Sequence, residues 1–387
     1  MRRATTILEV LAVFAGLLLI EACREAPKLG GPLNGLTRQQ REQFDKGLVE
    51  FGRVFTPETG LGPLFNANAC AECHEDPVSA GVGDEAEVHV AAFRGGGVCD
   101  PLVQKGGPVI QQQVTPALKM ALGIDSEPVP VEATARATRT TPDVFGFGLL
   151  DAVSDATILA NADPDDRNKD GISGRPNRFF DGRLGRFGRK AFLPNLREFN
   201  AGAFVIEQGI TNPLSPDEGT IGGNPIPAGV DPVPEPEISQ QAVDAADAFV
   251  RFLAPPAPLK FTEAAKRGRK IFSNIGCAKC HLPKLKSGDH PVRALRNKEV
   301  AAYTDLLLHD MGPELADICL GLATSSEFRT EPLMGLRLSK TFLHDGRASS
   351  IEEAIRLHGG EGAASRDKFQ KLSDADRQAV QAFLKSL

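Results

Sequence analysis

Two stretches of the chain carry apolar residues at the spacing of an amphipathic helix. They are ISQQAVDAADAFVRFL at 238–253 and LSDADRQAVQAFLKSL at 372–387, and they align with each other without gaps. Apolar positions that recur every three or four residues share one face of a helix. They are Val243, Ala246, Phe249, Val250 and Leu253 in the first stretch and Leu372, Val380, Phe383, Leu384 and Leu387 in the second. The repeat predicts two helices, one at the end of each of two similar units.

Each predicted helix lies downstream of a cysteine motif that is also repeated. LFNANACAECH at 64–74 aligns without gaps on IFSNIGCAKCH at 271–281. Phe65 and Phe272 precede the first cysteine of their motif by the same interval. This arrangement predicts a helix before each cysteine motif that packs on the later amphipathic helix and closes the unit around one site.

The repeated motif, CxxCH, has the spacing that haem attachment requires. Two thiols three positions apart lie on one face of a helical turn, where they can add to the two vinyl groups of one haem while the next histidine binds iron. The alternatives are zinc, which needs two further ligands at short spacing, and a redox dithiol, which needs a βαβ context. We therefore expect two covalent haem c groups, with both histidines as iron ligands. The binding residues are Cys70, Cys73, His74, Cys277, Cys280 and His281.

The repeats predict a mainly α fold of two tandem cytochrome c-like domains, the first enlarged by insertions. The N-terminal haem domain spans 37–256 and the C-terminal one 257–387, with the proline-rich segment 254–258 as the hinge. The Pro- and Gly-rich stretch 211–237 lacks periodicity and predicts a surface excursion that can cover the first haem. We find no alternation of apolar and polar residues typical of a sheet-based fold.

The first residues have the pattern of an export signal. Arg2 and Arg3 precede an apolar run at 10–20 that is too short for a comfortable membrane span. IEAC at 20–23 resembles a bacterial lipobox, in which Cys23 receives a lipid, while ordinary secretory cleavage and an uncleaved anchor remain alternatives. We expect a signal peptide at 1–22, a tether at 23–36, and a periplasmic or cell-surface location with anchoring through lipidated Cys23.

The composition argues against one class of partner, and it leaves open whether two of the cysteines form a disulfide. The formal net charge of -6 argues against nucleic acid, because phosphate binding needs clustered positive charge. The chain has no Trp and one Tyr, so Phe must supply nearly all aromatic packing. Cys99 and Cys319 belong to neither the export signal nor a CxxCH motif. They could form a disulfide in an oxidising compartment, and two separate buried thiols are an equal alternative.

Several longer segments resemble the di-haem oxidoreductase family, which is similar to bacterial di-haem cytochrome c peroxidases. The segments cover nearly everything after the export signal. They are GFGLLDAVSDATILANADPDDRNKDGISGRPN at 146–177, GRFGRKAF at 185–192, DLLLHDMGPELAD at 305–317, EFRTEPLMGL at 327–336 and TFLHDGRASSIEEAIRLHGGEG at 341–362. The resemblance implies a peroxidase-like oxidoreductase. Electrons from a small redox protein would pass from the C-terminal to the N-terminal haem and reduce peroxide there.

The resemblance leaves two other functions open, and the chain departs from the family at one feature. The protein could be a non-catalytic electron carrier with both haems six-coordinate, or a cytochrome subunit of a surface complex. Relatives usually carry Trp at the positions of Arg189, Phe328 and Met334, and the related peroxidases use a Trp between the haems as an electron bridge. Because this chain has no Trp, that route is in doubt.

The remaining histidines supply candidate sixth ligands. In the related peroxidases a Met beyond an FHDG motif ligates the C-terminal haem; here FLHDG contains His344, and His358 falls at the matching place. We expect His358 to bind the second haem, with Met311 as its competitor. His89 lies about as far beyond the first CxxCH as the distal His of the peroxidases, but its surroundings differ. We expect a solvated His89 and leave an open or water-bound first haem as a working possibility.

Three further residues are candidates for roles around the haems. Asp151 is a candidate acid–base group, because cleavage of the O–O bond of peroxide needs proton transfer at the distal oxygen. Arg139 and Arg329 are candidates for holding haem propionates by bidentate pairing, with ordinary salt bridges as the alternative.

DPDDRNKDGISG at 163–174 resembles the start of a Ca²⁺ loop. Asp166, Asn168 and Asp170 alternate, and Gly171 allows the sharp turn. The Glu that normally ends such a loop is missing, because Asn177 stands there. A calcium site is one expectation for this segment, and a plain turn rich in Asp and Asn is the alternative.

Overall fold

The computed structural model describes residues 26–95 and 98–387. Helix accounts for 33% and strand for 15% of the structure. The fold therefore contains a substantial strand component besides the helices predicted from the sequence. The export signal at 1–22 and Cys23 lie outside the described residues. No helix in the described part is both long enough and apolar enough to cross a membrane.

Helices form at both ends of the described chain and in its middle. In chain order they are α1 (Arg38–Phe51), α2 (Cys70–Cys73), α3 (Pro116–Leu122), α4 (Phe147–Asp151), α5 (Asp155–Leu159), α6 (Leu196–Gln208), α7 (Gln240–Phe252), α8 (Glu263–Asn274), α9 (Ile351–Leu357), α10 (Ala363–Gln370) and α11 (Asp374–Leu384). α7 and α11 fall within the two amphipathic stretches of the sequence repeat.

Most strands have two or three residues, and β2 and β6 are longer. In chain order they are β1 (Leu64–Phe65), β2 (Ala86–Arg94), β3 (Val98–Asp100), β4 (Val109–Ile110), β5 (Gln113–Val114), β6 (Ala135–Thr140), β7 (Thr220–Ile221), β8 (Asn224–Pro225), β9 (Leu285–Lys286), β10 (Glu299–Val300), β11 (Leu308–Asp310) and β12 (Glu327–Arg329). All pairs are antiparallel.

Two pairs of helices cross in the same way, α1 on α7 and α8 on α11. A Cβ atom at Gly47 of α1 would lie 2.2 Å from the carbonyl oxygen of Ala245 in α7. A Cβ atom at Gly268 of α8 would lie 1.8 Å from the carbonyl oxygen of Ala379 in α11. Because the two backbones touch, no side chain fits at either crossing, and glycine is required at both.

Polar caps set where these four helices begin. Thr37 and Gln40 form a capping box, in which each side chain accepts the backbone N–H of the other residue. The hydroxyls of Ser239, Thr262 and Ser373 each accept the N–H of the residue three positions on. These caps act within one turn, so the starts of the helices follow from local sequence.

A four-stranded sheet lies between the first cysteine motif and α4. β2 is its central strand and pairs with β3, β4 and β6. One face of β2 packs on Leu102 and Ile110, and the other packs on Ile318 and Cys319. Apolar and polar residues alternate from Ala86 to Val90, but the pattern ends at Ala91 and Ala92, because both faces are buried there. The interpretation that the chain shows no alternation typical of a sheet is therefore wrong for β2.

The largest hydrophobic core crosses the predicted domain boundary. It joins Phe145 and Phe249 from before the boundary with Leu295 and Leu307 from after it. The predicted hinge at 254–258 begins with a buried alanine, whose N–H donates a hydrogen bond to the carbonyl of Gly31. The two parts of the chain thus share one packed interior, and the hinge segment is held by backbone contacts.

The described end of the predicted tether is also packed. Leu33 and Leu36 are buried in the same core. The N–H of Leu33 donates to the carbonyl of Phe252 at the end of α7, at 2.7 Å. From Gly31 onward this segment is therefore part of the folded body.

A disulfide settles the question left open by the sequence. Cys99 in β3 and Cys319 are bonded, although they are 220 positions apart. Cys319 is buried against the sheet. The bond ties the sheet to the segment between β11 and β12.

Candidate functional site

The second CxxCH motif follows directly from α8. A short 3₁₀ turn, Cys277–Lys279, brings Cys277 and Cys280 to one side, and His281 comes next. Nδ1 of His281 donates a hydrogen bond to the carbonyl of Tyr303, at 3.0 Å, since a carbonyl can only accept. The ring of Phe272 packs against the imidazole, with centroids 6.3 Å apart. Nε2 of His281 is therefore the nitrogen available to a metal.

His358, at the C-terminal end of α9, has the same arrangement. Its Nδ1 donates to the carbonyl of Ala354, at 2.7 Å, which again leaves Nε2 without its proton. His281 and His358 line one cavity. Burial and the nearby His358 lower the pKa of His281 to about 4, and burial lowers the pKa of His358. Both imidazoles are thus neutral near pH 7, which is the form that binds iron.

The cavity between these two histidines has mainly apolar walls. Cys277 and Cys280 also line it, so two thiols and two imidazoles meet in one space. Met311, the competing candidate ligand, lines the same cavity. The apolar walls include Leu333, Leu336, Phe342, Ile351, Ile355 and Leu384. Thiols at vinyl spacing, an apolar slot and two bare imidazole nitrogens are the features that a haem requires, so the residues fit that group.

The first CxxCH motif is built in a related way. Cys70 and Cys73 are the ends of α2, and His74 caps that helix. Nδ1 of His74 donates to the carbonyl of Gly81, at 3.3 Å, and the carbonyl of Pro142 also contacts the ring. Burial raises the pKa of both thiols to about 12. The ring of Phe51 packs against His74, with centroids 6.0 Å apart.

The aromatic neighbour of His74 is not the residue that the repeat indicates. The ungapped alignment matches Phe65 with Phe272. In the structure Phe65 lies in β1, and Phe51 at the end of α1 takes the position beside the histidine. The helix before the first motif therefore ends well upstream of Cys70, whereas α8 ends three residues before Cys277.

Carboxyl groups that the sequence analysis missed lie beside the first motif. Burial and the charge of Glu87 raise the pKa of Glu207 well above its usual value. Nε2 of His89 lies 2.8 Å from a carboxylate oxygen of Glu87. Both carboxylates add to the rise in the pKa of the Cys73 thiol, after burial and Glu85. No local motif marks these residues, because β2 and the end of α6 meet only in the folded chain.

His89 is buried, with 8% of its surface exposed, so the expectation of a solvated histidine is wrong. Its Nε2 faces the carboxylate of Glu87, two residues earlier in β2. Burial and the charge of Arg139 lower the pKa of His89. The ring is therefore neutral near pH 7 and can accept or donate a proton at short range.

The two candidate arginines have different surroundings. Nε and Nη2 of Arg139 both donate to Asp317, at 2.9 and 2.7 Å, and Lys190 also pairs with Asp317. Arg329 lines the cavity of the second motif, next to Arg189 and Glu331. Arg139 is thus engaged in a buried ion pair, and Arg329 is the arginine that faces the cavity.

Asp151 and the predicted calcium residues have other partners. Asp151 pairs with Arg251 through one carboxylate oxygen and accepts the N–H of Leu196 with the other, and its acid–base role stays a prediction. Asp166 and Asn168 accept backbone N–H groups of their own turn, and Asp170 pairs with Lys279. These contacts describe a turn rich in Asp and Asn, and calcium there stays a prediction.

Phe328 in β12, a position where the family resemblance led us to expect Trp, belongs to a short aromatic stack. Its ring lies against His344 with centroids 4.3 Å apart, and Nζ of Lys190 lies 3.6 Å from the centroid of the Phe328 ring. Phe328 and His344 both line the cavity. The position of the missing Trp is therefore filled by a packed ring with a cation over it.

Residues 130–387, about two thirds of the chain, match the model of the family described as "Di-haem oxidoreductase, putative peroxidase". The chain belongs to this family. Two haem cofactors and a peroxidase-like oxidoreductase class follow from that membership. The comparison with curated proteins gave no significant match.

Several solved structures are similar to the chain at low identity. Hydrazine synthase of Kuenenia stuttgartiensis is 16% identical, with 95% of this chain and 96% of that chain covered and a TM-score of 0.42. A MauG-like protein associated with microbial copper homeostasis is 15% identical, with 95% and 94% covered and a TM-score of 0.41. The di-haem peroxidase BthA of Burkholderia thailandensis is 15% identical, with 89% and 86% covered and a TM-score of 0.42.

Proposed function

We propose that the protein is an exported c-type cytochrome that reduces peroxide with electrons from a small redox protein. One haem is attached at Cys70 and Cys73 and the other at Cys277 and Cys280. At both motifs, part-buried thiols lie beside an imidazole whose Nδ1 donates to a backbone carbonyl, and this supports covalent attachment. The haems supply one-electron redox chemistry, and the protein supplies ligands, protons and exclusion of water.

The observation that carries the proposal is the pair of histidines around the second cavity. His281 and His358 both line it, and each donates from Nδ1 to a carbonyl, so the Nε2 of both would be available to a haem iron bound there. An iron held by both residues would have no open position for peroxide. Such a haem would supply electron transfer, and we assign the chemistry on peroxide to the other motif.

The surroundings of the first motif suit that chemistry. Reduction of peroxide to two waters consumes two electrons and two protons. Glu207, whose pKa is raised by burial and by Glu87, holds a proton at neutral pH and can donate it to a leaving oxygen. Glu87 and His89, 2.8 Å apart, can return protons to the site. The direction of electron flow, from the C-terminal to the N-terminal haem, follows from this division of roles.

We further propose export, with anchoring through lipidated Cys23 at a periplasmic or cell-surface location. The disulfide between Cys99 and Cys319 supports an oxidising compartment, because such bonds are rare in reducing cytosol. Cytochrome c-like organisation in two units is supported by the two equivalent helix crossings at Gly47 and Gly268.

One observation favours a second candidate, a carrier with both irons six-coordinate. His89 is buried, burial lowers its pKa, and it contacts Glu87, whose charge acts on the thiol of Cys73. A neutral histidine so placed could serve as a sixth ligand of the first haem. The two candidates differ in the first haem only, which is either accessible to peroxide or closed by His89.

Electron paramagnetic resonance of the oxidised protein at low temperature separates these candidates. In the oxidised protein we expect a low-spin ferric signal from the haem of His281 and His358. After half-reduction this haem should be ferrous and silent, and the first haem, still ferric, should give a high-spin signal. Peroxide should then oxidise a reduced small cytochrome in stoichiometric turnover. A first haem that stays low-spin after half-reduction, with no peroxide consumed, would establish the carrier.

The variant His358→Ala tests the ligand pair itself. It should open the second iron and add a high-spin signal, with two haems per chain retained. His290→Ala is the matched control, because His290 is half-buried and outside the cavity. An unchanged low-spin signal in His358→Ala would assign the sixth position to another residue, with Met311 as the next variant to make.

A further inference from the structure

Arg329 is a buried cation with unused hydrogen-bond donors. It ends β12, and 6% of its surface is exposed. Nη2 donates to Glu331 at 2.8 Å, whereas Nε and Nη1 are buried without a partner. A buried donor without an acceptor costs roughly 1–3 kcal/mol, and more when it is charged. Nε and Nη1 of Arg329 therefore require an acceptor other than the protein groups around them.

The charges around Arg329 do not balance. Glu331 lies 2.8 Å from Arg329 and 3.1 Å from Arg189, so one carboxylate is shared by two guanidinium groups. Asp143, which lines the same cavity, accepts the N–H of Phe145, and burial and the charge of Glu331 raise its pKa to about 7. An anion within reach of Arg329 would neutralise the surplus positive charge.

The cavity also determines what that anion can be. Arg329 lines the same space as His281, His358 and the thiols of the second motif. A haem bound there brings two propionate carboxylates. The planar fork of arginine matches a carboxylate through two parallel hydrogen bonds.

We propose that Nε and Nη1 of Arg329 bind a propionate of the haem attached at Cys277 and Cys280. This inference rests on the haem attachment proposed above. We assign no such role to Arg139, because its Nε and Nη2 already donate to Asp317. A cation held against the porphyrin edge favours the reduced haem, so Arg329 is a positioning residue that also raises the reduction potential of the C-terminal haem.

Potentiometric titration of the di-haem protein, followed by electron paramagnetic resonance, tests the proposal, because the two haems give separate signals. In Arg329→Gln we expect the reduction equilibrium of the C-terminal haem to fall about tenfold, which is about 59 mV for one electron. The propionate bending band in the resonance Raman spectrum should shift as well. Arg329→Lys keeps the charge and should keep most of the potential while shifting the band.

Arg197→Gln is the matched control. Arg197 is half-exposed, pairs with Asp244 and does not line the cavity. It should change neither the band nor the potential by a comparable amount. A change confined to the N-terminal haem, or an unchanged propionate band in both Arg329 variants, would overturn the inference. If Arg329→Gln does not fold, the band in Arg329→Lys decides alone.

The same measurements keep this inference separate from the proposed function. Wild-type protein with two haems but no peroxide turnover, together with the expected shifts, would remove the peroxidase activity and retain the role of Arg329. Peroxide turnover by the wild-type protein, together with unshifted bands in the Arg329 variants, would retain the peroxidase activity and remove the role of Arg329. Wild-type protein with fewer than two haems per chain would overturn both.

Discussion

At the scale of single residues, the partners of each ring nitrogen decide what a histidine can do. His281 and His358 donate from Nδ1 to a carbonyl, which leaves Nε2 free, whereas the ring of His74 contacts two carbonyls, those of Gly81 and Pro142.

His309 also lines the second cavity, but both of its nitrogens face carboxylates, Asp305 at 2.8 Å and Glu361 at 2.7 Å. Although burial opposes it, hydrogen bonds with Asp305, Cys280 and Glu361 raise the pKa of His309 to about 12. These partners hold His309 as a cation between two carboxylates.

The raised pKa of Glu207 leads to a prediction on pH dependence. A carboxyl group with a raised pKa stays protonated at neutral pH and loses its proton as pH rises through that value. Peroxide turnover should therefore decline on the alkaline side, and Glu207→Gln should lower kcat by about 10²–10⁴. Measurement of kcat against pH for both proteins checks this. Glu198→Gln, on the same helix and half-buried, is the control. An unchanged alkaline limb in Glu207→Gln would assign the proton to another group.

At the scale of secondary structure elements, two helix crossings organise the ends of the described chain. α1 with α7 and α8 with α11 meet at glycine, where the backbone of one helix touches the backbone of the other. The amphipathic repeat predicts α7 and α11 correctly, since the 3.6-residue period and the Ser caps are local features. The sheet around β2 was missed because the alternation is short: it stops after Val90, where Ala91 and Ala92 are both buried and Ala91 packs on Ile318 and Cys319.

Replacement of the glycine at the second crossing should loosen this packing. Gly268→Ala would place Cβ 1.8 Å from the carbonyl oxygen of Ala379, so we expect a loss of roughly 1–3 kcal/mol in the free energy of unfolding. Alanine normally stabilises a helix relative to glycine, so a loss of stability in Gly268→Ala would show that the close helix crossing outweighs helix propensity. Gly202→Ala in α6, where nothing lies within 4 Å, is the control and should be neutral or stabilising. Guanidinium titration provides the measurement, and equal stabilisation by both variants would contradict the packing argument.

At the scale of the whole molecule, the two parts of the chain are joined by a shared core and one disulfide. The core contains Phe145 and Phe249 as well as Leu295 and Leu307. Cys99 and Cys319 bond the sheet to the segment that carries Asp317, which pairs with Arg139 and Lys190. The cavity of the second motif takes walls from both parts, because Thr140 and Asp143 line it together with His281. The relative position of the two parts is thus part of the site.

The disulfide should matter for stability and not for haem attachment. In the variant with Cys99→Ser and Cys319→Ser, the free energy of unfolding should fall by roughly 2–5 kcal/mol, because a long loop is no longer closed. The haem content should stay at two per chain, since the CxxCH cysteines are separate. Thermal unfolding and haem quantification provide the test. Loss of haem with unchanged stability would show that the pair serves maturation instead.

The sequence by itself determined what lies within a few residues. CxxCH places two thiols and an imidazole on one turn, and the amphipathic repeat specifies α7 and α11, because both depend on helix periodicity. The family resemblance also singled out His358. Tertiary structure alone decided that Arg139 has a carboxylate partner while Arg329 lacks one, that Cys99 meets Cys319, and that Glu87 lies beside Glu207. These relations join residues far apart in the chain, and only packing and burial determine which distant groups become neighbours.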